Sequence, residues 1–151
     1  IRKAHSFPSL IKLIHNLTLT PCVRRGVMVV ELDLLRKEIE TYQDRKAPGV
    51  VAFYNIICFK EHGLDCNSLL LSHPSKLVDI VKKIQRGDEE SSKIILKLLF
   101  LTPIEEALST SGITDDLWEL IKQGRDEEFV KIIKQLFERR ISKKQASGVQ
   151  N

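Results

Sequence analysis

Cys58, His62, Cys66 and His73 sit in the stretch CFKEHGLDCNSLLLSH, with three, three and six residues between them. Thiolates and imidazoles are the donors that zinc takes in a tetrahedral shell. Cys58 and His62 are one helical turn apart, so both can face one ion. The spacing matches no familiar zinc finger or knuckle, however. A structural duty also suits each residue: Cys58 as a small core hydrophobe, His62 at a helix C-terminus that favours a partly charged ring, and His73 in a loop before Pro74. No metal and no cofactor is assigned, and these four residues are kept as the metal candidates.

Other chemical signatures are missing. There is no Gly-rich phosphate loop, no HExxH, no GxSxG and no CxxC pair, and only four histidines are present. Ser/His/acid and Cys/His sites are assembled from residues distant in sequence, so motifs alone do not settle the matter. Nothing marks such a site here, and the expectation is a non-enzymatic protein.

The charge layout offers a different kind of site. Residues 1–30 carry Arg2, Lys3, Lys12, Arg24 and Arg25 and no acid, whereas residues 131–151 carry six bases and Glu138. Each end is thus +5 and the middle is −6, for a net +4. Lys3, Lys12, Arg24 and Arg25, with Arg139, Arg140, Lys143 and Lys144, form a candidate surface for DNA, RNA or another anionic partner if the two ends meet in space. Neutralising several phosphates gives an affinity that falls steeply with salt. A solvated helix end is the competing reading, because bases in a last turn suit the helix dipole. Few aromatics are available for base stacking, and the acidic middle opposes a nucleic-acid partner.

These residues must be positioned by helices. Of 151 residues, 42% are apolar, 29% charged and only 6% aromatic, which suits a globular chain with an Ile, Leu and Val core. No apolar run is long enough to span a bilayer. Three cysteines, an odd and sparse count, point to a reducing, intracellular compartment rather than a disulfide scaffold. The chain begins with Ile, which leaves room for a removed targeting segment.

Along the chain, Leu10, Ile11, Leu13, Ile14 and Leu17 mark a first helix, and Thr20-Pro21 starts a second. From Cys22 to Tyr42 two apolar rows run at helical spacing: Val23, Val27, Val30 and Leu34, then Met28, Leu32, Leu35, Ile39 and Tyr42. The alternation in VVELDLL also allows a strand there, and length favours the helix. VVAFYNIICFKEHG is apolar almost all round, which places it at the centre of the fold, with Gly63 as its stop. Asp65 caps a short helix. Pro74 opens one with Leu77, Val78, Ile80, Val81 and Ile84 inward, and Asp88 caps the next. Thr102-Pro103-Ile104-Glu105 reads as N-cap, first-turn proline and capping-box Glu. Thr114 and Asp126 cap the last two helices, and Trp118 reads as core or an edge anchor. Residues 1–144 form one domain, with 145–151 a frayed tail.

Two stretches, GDEESSKIILKLLF and RDEEFVKIIKQLF, repeat an acidic triplet and an Ile-Ile pair 38 residues apart, with an echo at Ile56-Ile57. A two-helix unit of this length is the size used by HEAT and armadillo arrays. An acidic first turn is also ordinary helix-start grammar. The expected fold is therefore an all-α, compact bundle of about eight helices, with stacked helical hairpins as a variant. The expected function is an interaction module, an accessory or adaptor subunit that binds another protein subunit in a larger assembly, with nucleic-acid handling as one setting for it. Direct nucleic-acid binding through the basic ends is the alternative, and a small metal protein or enzyme the third reading.

Overall fold

The computed structural model describes the backbone of residues 25–150 and the side chains of residues 32–143. Regular structure among the described residues is all helical: α1 (Arg25–Lys46), α2 (Val50–His62), α3 (Cys66–Leu70), α4 (Pro74–Ile84), α5 (Glu89–Leu96), a π-helical turn (Lys97–Leu101), α6 (Thr102–Leu108), α7 (Thr114–Lys122) and α8 (Asp126–Gln150). The all-α, compact class read from caps and periodicity is what the chain adopts. The expected helix around Leu10–Leu17 and the restart at Thr20-Pro21 lie outside the described residues. The backbone of α8 is helical through Gln150, past the boundary expected at 144.

The segment weighed between helix and strand is helical from Arg25 onward. Its inward row is Leu35, Ile39 and Gln43, four residues apart, with Leu32 packed alongside. Leu34, expected inward in the other row, is 48% exposed. α1 packs against α6, α8 and α3, which leaves Leu34 on the side away from the core.

Centrality is where sequence and structure part. The central element is α4, which packs against α2, α3, α5, α7 and α8. Leu77, Val78, Ile80 and Val81 are buried as their spacing requires. α2, expected at the centre because it is apolar all round, buries only Val51, Tyr54 and Cys58. This is a correction with a plain cause: the strongly amphipathic α4 fills the middle, and α2 is left on the outside with one face inward. Tyr54 meets Phe100 edge-to-face at 6.3 Å, and the Glu61 carboxylate accepts from Lys83 at 2.8 Å, so both ends of α2 are tied down.

Local signals held at several helix ends. Gly63 ends α2 in the left-handed region at φ 71°, donating its N–H to Phe59. Asp65 caps α3 by accepting from the Ser68 N–H. Asp88 stands at the N-cap position of α5 but makes no side-chain cap bond to the backbone; its carboxylate accepts from the Ser91 hydroxyl instead.

Two acids do something else. Glu105 does not form a capping box with Thr102, which is itself helical and is not the N-cap of α6. Its carboxylate instead accepts from the Ile113 and Thr114 N–H groups at 2.9 and 3.3 Å, covering the start of α7. The N-cap of α7 is Ile113, without a side-chain bond, so the expected Thr114 cap is also corrected. Asp126 accepts from the Ser75 N–H at 3.2 Å and the Ser75 hydroxyl at 2.7 Å, across 51 residues, and so caps α4 from the first turn of α8. Orphan N–H groups at a helix start accept any well-placed oxygen, local or remote.

Pro103 does not start a new helix either. The chain passes through the π turn into α6 without a break. Proline has no N–H to offer the carbonyl four residues back, that of Leu99. The Gln43 side chain fills that role, donating to the Leu99 carbonyl at 2.7 Å.

The 38-residue recurrence does not place its two copies alike. Ile132 and Ile133 are buried, whereas Ile94 is 55% exposed. α5 gives way to a π turn after Leu96, whereas α8 runs on unbroken.

Candidate docking surface

The outward face of α2 is the most unusual surface among the described residues. Val51, Tyr54 and Cys58 set the inward direction. A helical turn of 100° per residue then points Ala52, Phe53, Ile56, Phe59 and Lys60 the other way. All five are exposed, with Phe53 at 53%, Ile56 at 68% and Phe59 at 55%. Val50 and Leu64, also exposed, extend the apolar strip at its two ends. Half-exposed phenylalanines and one isoleucine present roughly 300 Å² of apolar area, since a Phe has about 200 Å² to bury. Single exposed apolar residues are common; here three large ones fall on one helix face.

Three anchors hold the strip in place. The Cys58 and Cys66 sulfurs are joined in a disulfide that links α2 to the first residue of α3. Asn55 accepts from the Cys66 N–H at 2.8 Å, beside that link. The Lys83–Glu61 pair ties the same C-terminal end of α2 to α4, and that hydrogen bond holds the Glu61 carboxyl below the usual carboxylate range.

The disulfide also revises the Cys/His reading. Cys58 and Cys66 are fully buried and bonded to each other, so neither offers a free thiolate. His62 closes α2 and His73 precedes α4. No group of three or more His, Cys, Asp or Glu side chains is placed to hold a metal ion among the described residues. With two of the three cysteines paired, the cysteine argument for a reducing compartment falls away. No helix among the described residues is long and apolar enough to cross a membrane.

The basic candidates are scattered across several duties. Lys3, Lys12 and Arg24 lie outside the described residues, as do the side chains of Arg25 and Lys144. The helices that carry Arg25 and the Arg139–Lys144 stretch, α1 and α8, do pack together. Arg139 and Lys143 are exposed on α8. Arg140 is turned inward: it pairs with Glu38 at 2.9 Å, with 19% side-chain exposure, and its guanidinium lies 5.7 Å from the Phe137 ring centre. It serves the α1–α8 contact.

The described residues also line a cleft. It opens between α4 and α7 with a volume of about 350 Å³ and an apolar floor of Val78, Trp118 and Ile121. Trp118 is buried there as an edge anchor. Lys82 and Lys122 on the rim are offset by Asp79 and Glu89, so the cleft selects no ligand sign.

Sequence reasoning missed the α2 strip because an all-round apolar helix reads as central. The available signal was Lys60, a charge placed opposite Tyr54 and Cys58 in helical phase.

No family model matches the chain, no curated protein matches it, and no solved structure matches it.

Proposed function

We propose that this chain is a non-enzymatic α-helical interaction module, an accessory or adaptor subunit that joins a larger assembly through the outward face of α2. One observation carries the reading: Phe53, Ile56 and Phe59 are each more than half exposed on a single face of a helix whose C-terminal part is anchored by the Cys58–Cys66 disulfide and the Lys83–Glu61 pair. Burying roughly 300 Å² of apolar surface yields about 7 kcal/mol at the usual transfer coefficient, before the costs of association. That gives the surface a reason to be kept on a helix clamped by a disulfide and an ion pair.

Direct nucleic-acid binding is the second reading, and exposed Arg139 and Lys143 on α8 favour it. Removal of Arg140 from the set, through Glu38 and Phe137, weakens it.

Comparative affinity capture from the native host separates the two. Wild type, Ile56→Glu with Phe53→Ser, and Arg139→Glu with Lys143→Glu are tested in parallel, together with DNA and RNA binding at several salt concentrations. The proposal expects a stoichiometric protein partner that wild type and the α8 variant retain and the α2 variant loses. Full retention by the α2 variant, together with salt-dependent nucleic-acid binding that the α8 variant loses, overturns it.

A further inference from the structure

The cleft between α4 and α7 is separate from the α2 face and carries chemistry of its own. Val78, Asp79 and Lys82 of α4 line one wall, and Trp118, Ile121 and Lys122 of α7 line the other. Each trio falls at i, i+1 and i+4 or i, i+3 and i+4 of its helix, so each shares a side of that helix. The volume of about 350 Å³ lies at the small end of the range for small-molecule sites, roughly 300–1,000 Å³.

The floor holds one free donor. Trp118 is 4% exposed, and its indole N–H makes no hydrogen bond among the described residues. An indole N–H sealed away from both protein and water is costly, and a buried tryptophan usually finds it a partner. Among the described residues Gln135 Oε1 is the sealed side-chain atom without a partner, and Trp118 Nε1 is not one. The indole N–H therefore still reaches solvent, and Trp118 meets solvent in the cleft that it lines.

The rim supplies both signs. Lys82 and Lys122 bring ammonium groups, Asp79 and Glu89 bring carboxylates, and none of the four is in an ion pair or side-chain hydrogen bond among the described residues. Elsewhere surface charges of this chain do pair, as in Lys83–Glu61 and Lys97–Asp115. The Ser75 hydroxyl, also on the rim, already donates to Asp126. An anion alone would meet Asp79 and Glu89, and a cation alone would meet Lys82 and Lys122. A small molecule with one charge of each sign and an apolar body escapes both penalties.

We infer that this cleft binds a free apolar α-amino acid. Its carboxylate accepts from the Trp118 indole N–H and lies toward Lys82 and Lys122. Its ammonium lies toward Asp79 and Glu89, and its side chain rests on Val78 and Ile121. A carboxylate suits the indole donor better than a neutral carbonyl, because charge-assisted hydrogen bonds are the stronger ones.

Trp118 is the only tryptophan, so the chain has a single indole N–H signal in a nitrogen–proton correlation spectrum. Leucine is titrated against the full chain, beside N-acetyl-leucine, which lacks the ammonium, and leucinamide, which lacks the carboxylate. Leucine is expected to move the indole signal saturably, with a dissociation constant on the order of 1 mM, because the rim charges are screened by water. Each blocked form should bind about tenfold more weakly. Lys122→Glu should weaken leucine by a similar factor. Asp79→Asn with Glu89→Gln should weaken leucine and leave N-acetyl-leucine as it was. All three side chains are exposed, so circular dichroism should stay unchanged. The inference is overturned if leucine leaves the indole signal in place at ten times that concentration, or if neither variant changes its binding. Equal binding of leucine and both blocked forms also overturns it, since the charges would then play no part. N-acetyl-leucine binding as tightly as leucine overturns it too, and points to the C-terminus of a peptide instead.

Discussion

The side-chain amides of Gln43 and Asn67, 24 residues apart, form a reciprocal pair in the core. Gln43 Nε2 donates to Asn67 Oδ1 at 3.1 Å, and Asn67 Nδ2 donates to Gln43 Oε1 at 2.8 Å. Gln43 Nε2 also donates to the Leu99 carbonyl at 2.7 Å, which ties α1 to α3 and to the π turn at once. Both residues are almost fully buried, so every bond in the set counts.

Gln43→Leu strands two acceptors and a donor, and is expected to cost about 3 kcal/mol, because each unpaired buried group loses its hydration without return. Asn67→Leu should cost a similar amount. The double variant should cost clearly less than the sum, by about 1 kcal/mol or more, as expected of residues in direct contact. Urea unfolding of the four proteins in the cycle measures this. Strict additivity would contradict the pairing.

The remote caps make a second prediction. Asp126→Ala removes the acceptor at the start of α4 and should cost about 1 kcal/mol, with Asp126→Asn intermediate. Glu105→Ala should cost a similar amount through α7. Hydrogen exchange distinguishes these remote caps from local ones. Asp126→Ala should speed exchange in the first turn of α4, at Ser75, and Glu105→Ala should do so at Ile113 and Thr114. If only the first turn of α8 responds to Asp126→Ala, the cap is local and the account is wrong.

Reduction should loosen α2. In the chain-entropy picture, closing a loop with a sequence separation of 8 stabilises by about 2.5 kcal/mol. Adding reductant, or substituting both Cys58 and Cys66 by Ala, should lower the unfolding free energy by a comparable amount and raise exchange across α2 more than across α4. Unchanged stability under full reduction would contradict the clamp.

The pH response follows from four carboxylates. Asp33, Glu61, Asp88 and Asp115 are all held below the ordinary carboxylate range, chiefly by hydrogen bonds from Arg36, Lys83, Ser91 and Lys97 respectively. A lowered folded pKa means the unfolded chain takes up protons first as pH falls. The contribution is therefore complete above the unfolded values, near pH 4, and is lost as pH falls through the folded ones. Unfolding midpoints should stay level from pH 7 to about 5 and drop below about 4. Salt should weaken the Lys83–Glu61 and Lys97–Asp115 contributions, since all four side chains reach solvent.

Helix type, helix order and most inward faces were legible in the chain. The i, i+3, i+4 row of α4 names its buried residues Leu77, Val78, Ile80 and Val81, and Gly63 and Asp65 end and start helices where their chemistry requires. What was not legible depends on neighbours. Glu105 and Asp126 have the composition of local caps, and only tertiary placement decides which helix they serve. Pro103 reads as a helix start, and Gln43, 60 residues earlier, is what lets the helix continue. The α2 strip failed for a related reason: an apolar helix with no polar face does not say which side is covered. Cys58 and Cys66 read as unpaired because the turn at Gly63 that brings them together is a property of the folded backbone.

Hydroxyl-radical footprinting of the isolated chain tests the central claim most directly, namely that the apolar face of α2 is presented to solvent. The account predicts that Phe53 and Phe59 oxidise many times faster than Phe100 and Phe129, which are fully buried, and that Tyr54, one position from Phe53, is protected like them. Protection of Phe53 and Phe59 equal to that of Phe100 would place α2 inside the fold and remove the docking surface altogether.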